Sequence, residues 1–593
     1  MIQDGMIRDM SREGVPVDGD RLPFEPIAFD GLFGWLNPGI ARRGVVLCGT
    51  FGFEQLSAHR AWRALGERIA ATGCSVLRFD YPGEGDSADD APAYRTAPCI
   101  AAIRRAVRVL REEAGAEEIV LVGLRFGATL AARAAIEDRI DRLVLLAPFP
   151  SGRAYLREMK MRAGSIATLP SGATLPPEAG LLTVGGFHVD AEAAADLERI
   201  DLAALERPPA PRILVVGEAA SLAARLSKLG AAVETRPFPG LASLIANPLF
   251  AQEPAEAFAA VAAFAGEGVL PRPGAVRAIG PSARIEGPSW SEEVVRFGPG
   301  LFGLLCRPRS TGPGPAVLFV NAGRNPHSGW GRQTTVRARR LAADGVASLR
   351  IDLGGLGDSA DRPGGASPIY SLDALDDVRA ALDALEVRGL GAAVIVGACS
   401  GAYLGFQALG REPRLTGALL INLYCFDWNP EQDVEAVLRN GFRSASTYAV
   451  LLRDGSAWRR LLRGEIRIGA IARALARKAT DTLRQRIVRA VRPGPDGTVV
   501  RRIAALRRRG AQLRLVYSAG DPGLADLRLQ LGRSPARHLG APVAILADAD
   551  HDLSTRAAQA HLDVHLQALL ASCRDGEPVS RASSESGDGL APP

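Results

Sequence analysis

Short apolar and β-branched runs alternate along the chain with longer segments whose apolar positions recur at helical spacing. In the first half the runs are VVLC (Val45–Cys48), SVLRF (Ser75–Phe79), IVLVG (Ile119–Gly123) and RLVLLA (Arg142–Ala147); in the second they are AVLFV (Ala316–Val320), ASLRI (Ala347–Ile351), AVIVG (Ala393–Gly397) and GALLIN (Gly417–Asn422). Continuously apolar strands separated by helices predict mostly parallel sheets covered on both faces. Ligands of such sheets sit beyond the carboxyl ends of the strands.

The pattern is repeated. RIAATGCSVLRFDYPGEGDSAD (Arg68–Asp89) is answered 272 residues later by RLAADGVASLRIDLGGLGDSAD (Arg340–Asp361), so both halves are expected to share one fold. The resulting division is a disordered start over 1–22, a first domain over 23–268, a Pro/Gly-rich linker over 269–290, a second domain over 291–573 and a disordered tail over 574–593.

Composition narrows the class. With 593 residues, 47% apolar and 23% charged, the chain has enough material for two cores and too much apolar character for disorder throughout. No apolar run reaches the roughly 18 residues that span a bilayer, and the start MIQDGMIRDMSREG holds no signal core, which predicts a cytoplasmic protein. Seven cysteines without a C-x-x-C pair argue against a disulfide framework or a structural zinc site. No metal or cofactor motif appears; the G-x-G near Gly83 and Gly355 lacks the rest of a dinucleotide fingerprint.

Candidate chemistry gathers in the second half. After the strand ending at Val396, Gly397-Ala398-Cys399-Ser400-Gly401 leads into a helix-forming stretch, the form of a strand–nucleophile–helix elbow in which small flanking residues allow a strained turn. Cys399 is central; Ser400 competes but stands one position late. The strand Gln512–Tyr517 leads to Asp521, and His551 follows about 30 residues later. This order is that of the α/β-hydrolase layout, with His551 as base, Asp521 as its orienter, and an oxyanion held by backbone N–H groups of Ser400 and of Ala322 or Gly323. The rival histidines are His538, His561 and His565; the rival acids are Asp526, Asp548 and Asp550, with Asp550 and Asp552 flanking His551.

In the first half the elbow reads Gly123-Leu124-Arg125-Phe126-Gly127, the acid position offers only Glu218, and Pro239–Ser243 has no histidine. Arginine is no nucleophile. Arg125 could anchor an anion with its fork of donors; the competing reading pairs it with a local acid such as Glu84 or Asp86. His188, in a cap segment, reads as a packing histidine.

The sequence resembles the α/β-hydrolase superfamily across both halves. More narrowly, GACSGA, WRRLLRGEI, LVYSAGDPGL and ADADHDLS resemble the exosortase A system-associated hydrolases of exopolysaccharide clusters, in which a Cys at the elbow is usual; the first half resembles the second hydrolase type of such clusters, whose elbow carries Arg. The resemblance implies acyl or ester chemistry near envelope polysaccharide synthesis, on a small-molecule acyl substrate.

Between the Asn422 strand and the Asp521 strand, residues 431–510 interrupt the rhythm where a lid belongs. Leu451–Gly510 carries 17 Arg and Lys against four acids, a local +13 in a chain of net +6. Such a basic cap could meet an anionic membrane surface, which would place the protein peripherally at the inner face of the membrane; the competing reading is a solvated lid. Few aromatics and no recognised motif argue against nucleic acid. The expected activity is hydrolysis of an ester or thioester in the second domain, with a non-catalytic first domain. The alternatives are acyl transfer to a saccharide or other alcohol, and a non-catalytic scaffold.

Overall fold

The computed structural model describes residues 24–89, 92–166, 180–270, 283–310, 312–435, 437 and 497–575. The expected disordered start lies outside these, as do most of the basic cap and of the linker; the expected tail over 574–593 lies outside them from 576 on, while Arg574 and Asp575 end the last helix.

Each predicted apolar run forms a strand. The first domain contains β1 (Glu25–Phe29), β2 (Leu32–Asn37), β3 (Arg43–Cys48), β4 (Ser75–Phe79), β5 (Glu118–Leu124), β6 (Arg142–Leu146), the hairpin β7 (Leu181–Val184) and β8 (Phe187–Asp190), then β9 (Arg212–Val216) and β10 (Ala232–Arg236). Its main sheet runs β1-β2-β4-β3-β5-β6-β9-β10. The pairs from β4 to β10 are parallel, while β1–β2 and β2–β4 are antiparallel. That antiparallel ribbon is absent from the sequence expectation, because its short strands carry no clear alternation.

The second domain contains β11 (Arg284–Glu286), β12 (Trp290–Phe297), β13 (Leu301–Pro308), β14 (Ala316–Phe319), β15 (Ser348–Asp352), β16 (Ala393–Ala398), β17 (Leu415–Ile421), β18 (Gln512–Ser518) and β19 (Ala544–Leu546). Its order is β11-β12-β13-β15-β14-β16-β17-β18-β19, the first sheet with one more edge strand. β11 falls inside the expected linker 269–290 and pairs with β12, so the carboxyl end of that segment belongs to the second domain.

The halves are packed on each other. One cluster of buried apolar side chains runs from Phe33, Trp35 and Val45 of the first sheet to Phe302, Val317 and Val396 of the second, and the Phe33 and Phe302 rings lie 6.5 Å apart. Apolar burial on this scale is the main stabilising term of such a junction. Within the expected cap, helix Gly497–Arg508 docks on the second domain: Arg502 donates to Asp427 at 2.7 Å and Gln407 at 2.8 Å, and lies over the Phe406 ring. No helix among the described residues is long and apolar enough to cross a membrane.

Candidate active site

The elbow forms as the glycines require. Cys399 sits between β16 and helix Ser400–Leu409 with φ 52° and ψ −115°, a conformation costly for any residue with a Cβ. The turn closes because its neighbours have no side chains: a Cβ on Gly397 would lie 2.3 Å from the Gly401 oxygen, and one on Gly401 would lie 2.4 Å from the Asn321 oxygen. The first domain repeats this geometry at Arg125, with φ 56° and ψ −122°.

The structure brings Cys399, His551 and Asp521 together. His551 Nδ1 donates to Asp521 Oδ2 at 2.7 Å, and the same ring is hydrogen-bonded to the Cys399 thiol. Asp521 is buried at the end of β18, and its other oxygen accepts from Gly523 N–H at 2.8 Å. Burial disfavours the charged ring of His551, yet Asp521 and the thiolate form of Cys399 outweigh it and hold its pKa well above the ordinary value. The rivals lie apart from this constellation: His538 is in the short helix Pro535–Leu539 and His561 and His565 are in the helix Arg556–Asp575. Asp526 accepts from Phe426 N–H, and Asp550 caps Ser554. Asp552 is pushed up to about 7 by burial, with His551 opposing that rise.

The loop after β14 reaches the elbow. Ala322, Cys399 and His551 line one cleft together with Asn321, His327 and Trp330. Gly323 N–H donates to Ser400 Oγ at 3.0 Å, so the Ser400 side chain points at this loop and away from the nucleophile position.

Three neighbours escaped the sequence reading. Tyr370, at φ 57°, places its hydroxyl 3.7 Å from Cys399 Sγ while its ring stacks on Trp428, centroids 4.4 Å apart. Fully buried Asn422 ties the loops together, donating to Ser518 Oγ at 3.1 Å and to the His551 carbonyl at 2.7 Å, and accepting from Ser518 N–H at 2.8 Å. His327 is buried between Asp352 and Asp86, its Nδ1 2.7 Å from one and its Nε2 2.5 Å from the other. Each is a lone residue in sequence, with no motif to single it out.

At the corresponding place in the first domain, Arg125 is held by Glu54, at 3.1 Å from Nε, and by Glu158. Neither expected partner is used: Glu84 accepts from Gly52 N–H, and Asp86 faces the other domain. The reason is position, since the elbow points at helices Gly52–Ala70 and Gly152–Ile166 rather than at the loop after β4. Arg162 bonds Glu158 as well, so among the described residues two cations balance two carboxylates at this elbow. His188 is bonded to Thr183, 2.9 Å from its hydroxyl, within the β7–β8 hairpin.

Comparison with known proteins agrees with this architecture. Residues 45–231 match a family described as the alpha/beta hydrolase fold, and residues 317–562 match one described as the alpha/beta hydrolase family. No curated protein matches the sequence. Solved structures similar to parts of the chain include Est1E from Butyrivibrio proteoclasticus with ferulic acid bound, 19% identical over 40% of this chain and 96% of that one, TM-score 0.30. An esterase from Pyrococcus furiosus is 17% identical over 43% of this chain and 95% of that one, TM-score 0.28. A proline iminopeptidase-related protein from Thermus thermophilus is 17% identical over 48% of this chain and 99% of that one, TM-score 0.28. From the two family matches and the two repeated sheets, the chain is a tandem of two α/β-hydrolase domains.

Proposed function

We propose that the second domain hydrolyses an ester or thioester through a Cys399 acyl-enzyme, and that the first domain carries out no chemistry. The observation that supports this most directly is the His551 ring bonded on one side to Asp521 and on the other to the Cys399 thiol. In the first step His551 Nε2 takes the thiol proton and Sγ attacks the acyl carbon. The developing oxyanion is held by the Ser400 and Ala322 N–H groups. Collapse expels the alcohol or thiol, which leaves with the proton from His551. Water then attacks the thioester, giving its proton to His551; Sγ leaves and is reprotonated, and the acid departs. Throughout, Asp521 fixes the ring and stabilises its charged form.

For the first domain, the support is chemical. Its elbow carries a paired arginine, the only carboxylate just after β9 is Glu218, and no histidine follows β10 within that domain. The resemblance to exosortase A-associated hydrolases points to acyl or ester chemistry near envelope polysaccharide synthesis.

The test is covalent labelling. A short activated ester should acylate Cys399 in the full chain, located by peptide mass mapping, and Cys399→Ala should abolish both label and turnover. Label that persists in Cys399→Ala, or that sits on Ser400, refutes the assignment.

A further inference from the structure

The first domain grips the loop that carries Ala322, one of the two proposed oxyanion donors. Across the interface, Asp86 Oδ2 meets His327 Nε2, and His327 Nδ1 and N–H both reach Asp352, at 2.7 Å each. Asp352 Oδ1 also accepts from Asn321 Nδ2 at 2.7 Å, and Asn321 Nδ2 donates to the Asn325 carbonyl at 2.9 Å. The chain of bonds therefore runs from Asp86 to the residue adjoining Ala322. Both ring nitrogens of His327 face carboxylates, so the ring acts as a charged, two-ended clamp.

Further along the same loop, Arg332 donates to the Gly85 carbonyl at 2.8 Å and the Ser87 carbonyl at 2.7 Å, and pairs with Asp89. Trp330 packs on Phe53 with centroids 5.5 Å apart. Leu249 of the first domain comes within 3.5 Å of where a Cβ on Gly323 would stand. Every one of these partners belongs to the first domain. The second domain holds the same loop through Asp352 on His327 and Asn321, Ser400 on Gly323 and Glu435 on Arg324, and the first domain fixes the stretch from His327 to Arg332 from the opposite side.

We infer that the first domain is a positioning module for catalysis in the second: Asp86, acting through His327, and the Gly85 and Ser87 carbonyls with the Asp89 carboxylate, acting through Arg332, hold the loop from Val320 to Gln333 in the conformation that presents Ala322 beside Cys399. This rests on the reading of Cys399 as nucleophile. Asp86 touches no reacting atom and is a positioning residue. A misplaced donor costs rate steeply, since loss of one oxyanion donor lowers turnover by roughly 10² to 10³-fold and small displacements from distant changes can cost about 10²-fold.

Two reagents separate positioning from general damage. Acylation of Cys399 by p-nitrophenyl acetate forms a tetrahedral oxyanion and needs the loop. Alkylation by iodoacetamide forms the C–S bond as iodide leaves, with no oxyanion. In full-length Asp86→Asn, acylation should slow by roughly tenfold or more while alkylation changes by no more than about twofold. Arg332→Gln, at the edge of the interface, should show the same split and serves if Asp86→Asn does not fold. Arg60→Gln breaks only the exposed Arg60–Asp361 pair and should leave both rates unchanged. Parallel losses in the two reagents, or no loss in either loop variant, overturn the inference. If neither reagent labels Cys399 in the unmodified protein, the nucleophile assignment itself fails.

Discussion

Arg350 of the second domain donates to Asp86 of the first at 2.6 Å, and 272 residues earlier Arg78 of the first domain donates to Asp358 of the second. The arginines sit on β4 and its counterpart β15, and each aspartate lies in the loop that follows one of these strands, so the duplicated segment contacts itself as a two-fold dimer interface would. Ser87 and Ser359 repeat the relation locally, accepting from Phe33 N–H and Phe302 N–H at 2.9 Å each. The two arginines differ in load. Arg350 also bonds Glu292 and Thr335, at 2.5 Å each, whereas Asp358 keeps a second partner in His59 at 3.2 Å. Arg350→Met therefore takes a partner from two buried carboxylates, leaving Asp86 to His327 and Glu292 to Arg339, and should cost about 3–5 kcal/mol, with Arg78→Met, which takes a partner from Asp358 alone, costing less. Because the apolar core crosses the junction, tryptophan fluorescence and far-UV dichroism should report one shared thermal transition, shifted down. Two resolved transitions with only the later residues affected would contradict the coupling.

Much of this architecture is legible in the sequence because it is local. Strands such as Val45–Cys48 and Ala393–Val396 are apolar throughout, and the elbow glycines announce themselves by spacing. Asp521 and His551 follow at strand ends. What is not legible depends on apposition: the segment DYPGEGDSAD reads as a hydrolase loop, and only folding shows that its Asp86 faces His327 across a domain boundary. Arg125 illustrates the same limit, since Glu84 stands in a motif that draws attention and Glu158 does not, yet the helix carrying Glu158 is the one that lies over the elbow.

Tyr370 offers a test of the surroundings of Cys399, the proposed nucleophile. Its hydroxyl, 3.7 Å from Sγ, can donate to the thiolate, and a hydrogen bond to a charged group contributes about 1.5–3 kcal/mol. Tyr370→Phe retains the stack on Trp428 and removes only the oxygen. Alkylation of Cys399 by iodoacetamide at neutral pH should slow by about tenfold, the equivalent of about 1.4 kcal/mol, with the unfolding temperature nearly unchanged. An unaltered rate would show that the hydroxyl serves the fold alone.

Arg125 should matter for stability and not for turnover. Arg125→Met leaves Glu54 and Glu158 sharing Arg162 alone, and loss of one member of a buried ion cluster costs about 3–5 kcal/mol. Ester hydrolysis per folded molecule should be unaffected, and Glu54→Gln in the same chain should recover part of the loss. Loss of turnover at full folding would assign the first domain a chemical part.

The pH dependence of stability follows from Glu84, whose carboxyl is pushed up to about 7 by burial, with the Gly52 N–H opposing the rise. In the unfolded chain the same group releases its proton near pH 4.5. Between those values the folded state binds the extra proton, so stability falls as pH rises from about 4.5 to about 7 and then levels off. Asp80, pushed up to about 6, and Asp552, pushed up to about 7, both mainly by burial, act in the same direction. Glu84 remains partly accessible in the fold, which reduces its share to about 1–3 kcal/mol. Glu84→Gln cannot ionise yet still accepts from Gly52 N–H. Its thermal midpoint should therefore decline less between pH 5 and pH 8 than that of the unmodified protein, with the two curves converging toward pH 5. Parallel curves over that range would show that Glu84 is ionised at neutral pH in the folded chain.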